Sequence, residues 1–175
     1  MAENTLRSQL LAITSVASEY CVALENAQQT EKEEFITDVL STLPRLYWEF
    51  WDLDVEDDSL EPDFGYFPEY VDEDFYDSIR RRVESVMGPD DVFLETFEED
   101  MKYSDTPIAA SISECLADIF QPLYNFLSVV KDSEGEQAVA AFKVCKENFV
   151  SYWSQTLCNV LRALNHLKIE GYEKN

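Results

Sequence analysis

The chain has 175 residues, is 46% hydrophobic and 13% aromatic, and carries a formal net charge of −23 at pH 7. That much apolar and aromatic surface can build a core in one domain of ordinary size, which excludes a wholly disordered chain. Thirteen Lys and Arg against 36 Asp and Glu exclude direct binding to nucleic-acid phosphates and repel an anionic membrane surface.

The opening MAENTLRSQLLAITSVASEY reads as an amphipathic helix and not as a signal peptide. Glu3 and Glu19 interrupt it where a basic segment and an unbroken apolar run are needed. Leu6, Leu10, Ile13, Ala17, Tyr20 and Leu24 recur at spacings of three and four and predict a first helix over 4–26. Thr30-Glu31-Lys32-Glu33 has capping-box spacing. A second helix follows, with Phe35, Ile36, Val39, Leu40, Leu43, Leu46, Tyr47 and Phe50 inward and a kink or division expected at Pro44.

Residues 52–71, broken by Pro62, Gly65 and Pro68, read as an irregular acidic loop. Asp72 is an N-cap candidate for a helix ending at Gly88, and a short helix is expected over 91–101. Ser104-Asp105-Thr106-Pro107 reads as a helix start, with Thr106 as cap and Pro107 in the first turn. That helix should run to 131, with Pro122 kinking it. Ser133-Glu134-Gly135-Glu136 opens a last helix reaching 168, with Phe142, Cys145, Phe149, Trp153, Thr156, Val160, Ala163 and Leu167 as its core stripe and a frayed tail beyond. No strand pattern and no repeat is evident. The expected fold is all-α: four long antiparallel helices forming a bundle core in one domain over 1–175, with an acidic, partly helical insertion over 52–104 between the second and third. No apolar run approaches the ~18–20 residues that cross a bilayer. Cys21, Cys115, Cys145 and Cys158 lack CxxC spacing and read as four buried thiols in a reducing cytoplasm.

Between Glu49 and Asp105 stand 21 acids and only four bases, and ten rings are threaded between Tyr47 and Asp77. Rings packed on the bundle with acids in the water explain this as structure. As function it is a sticky acidic surface for a basic protein partner, with Trp48, Trp51, Phe64, Tyr66, Phe67 and Tyr70 as the surface residues. Asp52, Asp54, Glu56 and Asp58 alternate as in an EF-hand, but Asp57 replaces the turn glycine and Asp63 the closing glutamate. No metal site, cofactor or catalytic residue is assigned. His166 is the single histidine and no Glu stands three residues before it, so neither a triad nor a Glu-x-x-His di-metal site is supplied. There is no glycine-rich phosphate loop.

The last helix carries a second stripe: Asn148, Tyr152, Gln155, Asn159, Arg162 and His166. Glu114 and Asp118 share a face of the preceding helix with Ser111. Two solvated faces are the plain account. The sharper one is a polar network, with Arg162 paired to Glu114 or Asp118, that lines a cleft.

The run EDMKYSDTPIAASISE at 99–114, continuing through Leu116-Ala117-Asp118-Ile119, resembles an uncharacterised bacterial family catalogued as domain of unknown function 5063. Lys146-Glu147-Asn148-Phe149, Tyr152-Trp153 and Leu161-Arg162-Ala163-Leu164 are similar to it as well. The resemblance implies a soluble helical bacterial domain and assigns no activity and no functional residues. The expected function is a non-catalytic cytoplasmic interaction domain for a basic protein. The alternative is a small metal- or ligand-binding enzyme with a polar cleft between the last two helices. A homo-oligomer through the face bearing Trp48 and Trp51 is left open.

Overall fold

The computed structural model describes residues 2–55, 67–95, 102–103 and 106–174. These are mostly helical, as expected. Helix α1 (Ala2–Glu25) buries Leu10, Ile13, Val16, Ala17, Tyr20 and Leu24 along one stripe. The one polar atom on that stripe is satisfied, since the Tyr20 hydroxyl donates to the Leu116 carbonyl at 2.7 Å. A 3-10 turn (Ala27–Gln29) leads to α2 (Lys32–Asp52). The capping box does not form. Thr30 turns its hydroxyl back to the Asn26 carbonyl at 3.2 Å, and Glu31 takes the cap position without a side-chain bond. Acids at Glu33 and Glu34 complement the helix dipole instead. Pro44 does not divide the helix, which continues to Asp52 with Pro44 on its exposed side.

Asp72 caps α3 (Glu73–Met87) by accepting from the Phe75 amide at 2.8 Å. Gly88 ends that helix at φ 58°, a left-handed conformation a side chain would resist. The helix expected over 91–101 is absent from the described part of that range. A 3-10 turn (Gly88–Asp91) gives way to strand β1 (Val92–Leu94), paired antiparallel with β2 (Ala109–Ser111), Phe93 opposite Ala110. The expectation of no strands is therefore corrected. Val-Phe-Leu suits a pleated surface, and pairing overrides the strong helical preference of Ala109-Ala110.

The start expected at Pro107 is displaced for the same reason. Helix α4 (Ile112–Asp132) begins after β2, with Ser111 accepting from the Glu114 amide at 3.0 Å. Asp91 supplies a second cap: its buried carboxylate accepts from the Ser113 amide and hydroxyl, both at 2.8 Å. Pro122 lies within α4 and does not end it.

After a turn at Ser133–Gln137, with Glu134 and Gly135 at positive φ, come α5 (Ala138–Asn148), a π-helical turn (Phe149–Trp153) and α6 (Ser154–Glu173). Helix persists through most of the tail that was expected to fray. Helix α4 sits centrally, against α1, α3, α5 and α6, while α2 lies on α1 and α6. Phe50, Phe149 and Trp153 form a buried aromatic knot, with ring centroids 4.5 to 5.4 Å apart. Three of the four cysteines are buried as expected. Cys158 is exposed, because it falls on the outer face of α6.

Candidate functional site

The middle of α4 faces both α3 and the π-helical turn, and there the polar side chains converge. Asp118 accepts from the Tyr76 hydroxyl of α3 at 2.6 Å and from the Tyr152 hydroxyl of the π turn at 2.7 Å. Both are short, charge-assisted bonds. Burial, then the bond to Asp118, raises the Tyr76 hydroxyl well above its ordinary range. The same causes push Tyr152 up to about 12. Both hydroxyls therefore remain donors at neutral pH and serve to hold the carboxylate. The π turn inserts extra backbone so that Phe149 and Trp153 reach the core while Tyr152 turns toward α4.

One turn before Asp118, toward the helix start, Glu114 projects into a cavity of about 470 Å³. Glu95, Glu114, Asp118, Tyr152, Gln155 and Asn159 line it, and no Lys, Arg or His does among the described residues. Asn159 is buried, donates to Glu95 at 2.7 Å and accepts from Gln155 at 3.1 Å. The amide thereby holds Glu95 against α6. Cys115 also borders this cavity, and burial, followed by the nearby carboxylates, pushes its thiol up to about 12. It is protonated at neutral pH and is no nucleophile.

A second cavity, of about 570 Å³, lies on the other side of the Asp118–Tyr152 contact, and both residues line it too. Its walls are mainly apolar: Pro122, Phe126, Val129, Ala141 and Val144. At its far side Asn125 accepts from the Tyr70 and Val71 amides at 2.9 and 3.2 Å, which fixes residues 70–71 on α4. The start of the acidic segment is tied nearby, since the Lys146 ammonium donates to the Leu53 carbonyl and lies 3.3 Å from Asp54.

Of the sequence-derived candidates, Glu114, Asp118, Tyr152, Gln155 and Asn159 meet in the acidic cavity, and Asn148 lines the apolar one. Arg162 does not pair with Glu114 or Asp118. It donates to the Leu94 carbonyl at 2.8 Å, because β1, absent from the sequence-based picture, lies beside α6. His166 is exposed, 3.4 Å from Glu170 and outside either cavity. Trp48 and Trp51 stand exposed on α2, by 63% and 46%. Phe67 is half-buried in the apolar cavity wall, and Tyr70 is half-buried with its hydroxyl 2.7 Å from Asp132. Phe64 and Tyr66 lie outside the described residues, as does most of the EF-hand-like run. No group of three potential metal ligands occurs among the described residues. No described helix is long and apolar enough to cross a membrane.

Glu95 and Tyr76 were not singled out from sequence. Tyr76 is one more ring in an aromatic-rich stretch, and Glu95 one more acid in an acidic one. Only the pairing of β1 with β2 and the packing of α3 on α4 bring them to the site.

A family model described as a domain of unknown function, DUF5063, matches residues 4–170. Among solved structures, the crystal structure of protein BF1032 from Bacteroides fragilis is similar to this chain: 28% identity, a TM-score of 0.76, and coverage of 91% of this chain and 92% of that one. No curated protein matches.

Proposed function

The chain belongs to the DUF5063 family, a membership that assigns no activity, and from the site itself we propose a non-catalytic interaction domain that binds a basic protein segment. The observation that carries this reading is the acidic cavity. Glu95, Glu114 and Asp118 line it together with no basic side chain among the described wall residues, on a chain of net charge −23. A guanidinium or ammonium group entering it meets carboxylates already held in place by Tyr76, Tyr152 and Asn159. The surrounding charge adds long-range attraction for basic partners.

In this reading α1, α2, α4 and the α5–α6 rod form the bundle, and residues 52–104 are an insertion that carries most of the charge. The ties of Leu53 to Lys146 and of Tyr70 and Val71 to Asn125 support it, since both ends of the acidic loop are fixed near the α4–α5 edge. Four free cysteines suit a reducing bacterial cytoplasm. Affinity capture on the immobilised protein tests the function. Retention of basic proteins at low salt, release at high salt and loss with Glu114→Lys support the reading. Retention indifferent to both salt and the variant would overturn it.

The alternative, a small-ligand or metal-binding enzyme, draws on one observation: Tyr152 of the C-terminal rod and Asp118 of α4 do meet across a cleft. Elemental analysis and thermal stability with added divalent cations separate the two. A metal that co-purifies with the protein, or raises the melting temperature with the logarithm of its concentration, favours the alternative.

A further inference from the structure

The acidic and apolar cavities share Asp118 and Tyr152, so they lie end to end along α4 as a groove divided by the hydrogen bond between those two side chains. The acidic end is bordered by α4 residues 111–118 and the apolar end by residues 118–129. At 1.5 Å per residue their centres lie ~13 Å apart, the span of about four residues of extended chain. Pro122, in the apolar wall, has no N–H to give the Asp118 carbonyl, so that backbone acceptor lacks its helical donor.

We infer that this groove takes an extended segment of the basic partner, with a cationic side chain in the Glu95–Glu114–Asp118 cavity and an apolar side chain about four residues away in the Phe126–Val129–Val144 cavity. The inference rests on the interaction reading above and adds a second anchor and a spacing. Charge selects the occupant. Neither cavity has a basic residue among its described lining, and the carboxylates continue onto Glu69 at the apolar end. A second copy of this chain, itself at −23, brings the wrong sign. The apolar cavity supplies what charge alone lacks, a contact that persists in salt.

The test uses two capped synthetic peptides in a Gly/Ser frame, titrated into the full chain and followed by amide NMR. One carries an arginine and a leucine about four positions apart; in the other, serine replaces the leucine. The two-anchor peptide should shift the amides of Glu114, Asp118 and Gln155 together with those of Asn125, Val129 and Val144. It should bind about tenfold more tightly than its serine counterpart. Val144→Asn, at a side chain 49% exposed and therefore tolerant of change, should remove that gain and leave the arginine-only peptide unaffected. Equal affinity of the two peptides overturns the two-anchor groove and leaves the acidic cavity as a cation site. Failure of both peptides to shift Glu114 and Asp118 overturns the interaction reading and the groove with it.

Discussion

Two aspartates beside α4 have opposite surroundings. Asp91, at the helix mouth, is 6% exposed, and its carboxylate accepts from the amide and hydroxyl of one residue, Ser113. Asp118, at mid-helix, is half-buried, accepts from tyrosines on two other elements, and borders both cavities. The first carboxylate is used up in fixing where a helix begins and how the 3-10 turn before β1 leaves α3. The second gathers three elements around a space and still shows a face to it. A carboxylate fully engaged with backbone and a short hydroxyl is a structural part. One held by side chains at the edge of a groove keeps a face open to it, as the proposed binding role requires.

The largest expected effect breaks the first half of that contrast. Asp91→Ala removes an N-terminal cap and leaves the Ser113 amide buried without its acceptor, while the Ser113 hydroxyl keeps only Ser111 Oγ, 3.0 Å away. Capping and charged hydrogen bonds together predict a loss of about 3 kcal/mol, read as a lower urea midpoint. Asp91→Asn keeps the shape and one acceptor and should recover about half of it. If Asp91→Ala unfolds no more easily than Asp118→Asn, the two sites do not differ in kind.

The next effect is smaller and depends on pH. Tyr152 sits at about 12 in the folded chain against an ordinary 10.0, with burial as the first cause and Asp118 as the next. The folded state thus holds its proton more tightly than the unfolded state does. That contribution to stability is complete below pH 10 and is lost as pH rises through the folded value. Tyr76, raised by the same two causes, acts in the same direction. Unfolding free energy should therefore begin to fall near pH 9, where the thiols of Cys21, Cys115 and Cys145, all raised by burial, would ionise in the unfolded chain, and fall more steeply beyond 10 as the phenols join them. Asp118→Asn should make the alkaline fall shallower without abolishing it, because burial remains. Ultraviolet titration of the tyrosinate band checks this. An unchanged phenol titration in the variant would show that Asp118 does not hold these hydroxyls.

The same contrast shows what could be read from the sequence. Long apolar stripes were legible: Leu10 to Leu24, Phe35 to Phe50 and Phe142 to Ala163 bury as their spacing predicts, because period and burial have one cause; the exceptions are Tyr47, expected inward but 38% exposed at the edge of the α2 stripe, and Leu40 and Thr156, which are half-buried. The Asp72 cap and the Gly88 stop were legible because each is decided within four residues. The start of α4 was misplaced. Ser104–Pro107 and Ser111–Glu114 both carry start signals, and only the pairing of β1 with β2, together with Asp91, chooses between them. Five of the eight polar candidates reach the acidic cavity, because helical spacing places Glu114 with Asp118 and Tyr152 with Gln155 and Asn159. Arg162 was mispaired because its true partner, a strand carbonyl, belongs to an element with no sequence pattern of its own. The apolar cavity was invisible, since its wall is assembled from α4, α5 and residues 67–69.

The smallest expected effect on stability is the sharpest on function. Glu114 is exposed on α4, one turn from Asp118, and its side chain forms none of the hydrogen bonds or ion pairs that hold the described fold together. Its amide, not its carboxylate, is bonded to the Ser111 cap. Glu114→Gln keeps size and helix propensity, so the urea midpoint should move by no more than about 0.5 kcal/mol in free energy. Removing one of three convergent carboxylates should nonetheless weaken an arginine peptide several-fold at low salt, with the difference shrinking as salt rises. Asp91→Asn makes the reverse pattern: a clear loss of stability and, once folded, an unchanged affinity. Two carboxylates that exchange these patterns would overturn the proposed reading and move the cation site from the middle of α4 to the helix mouth.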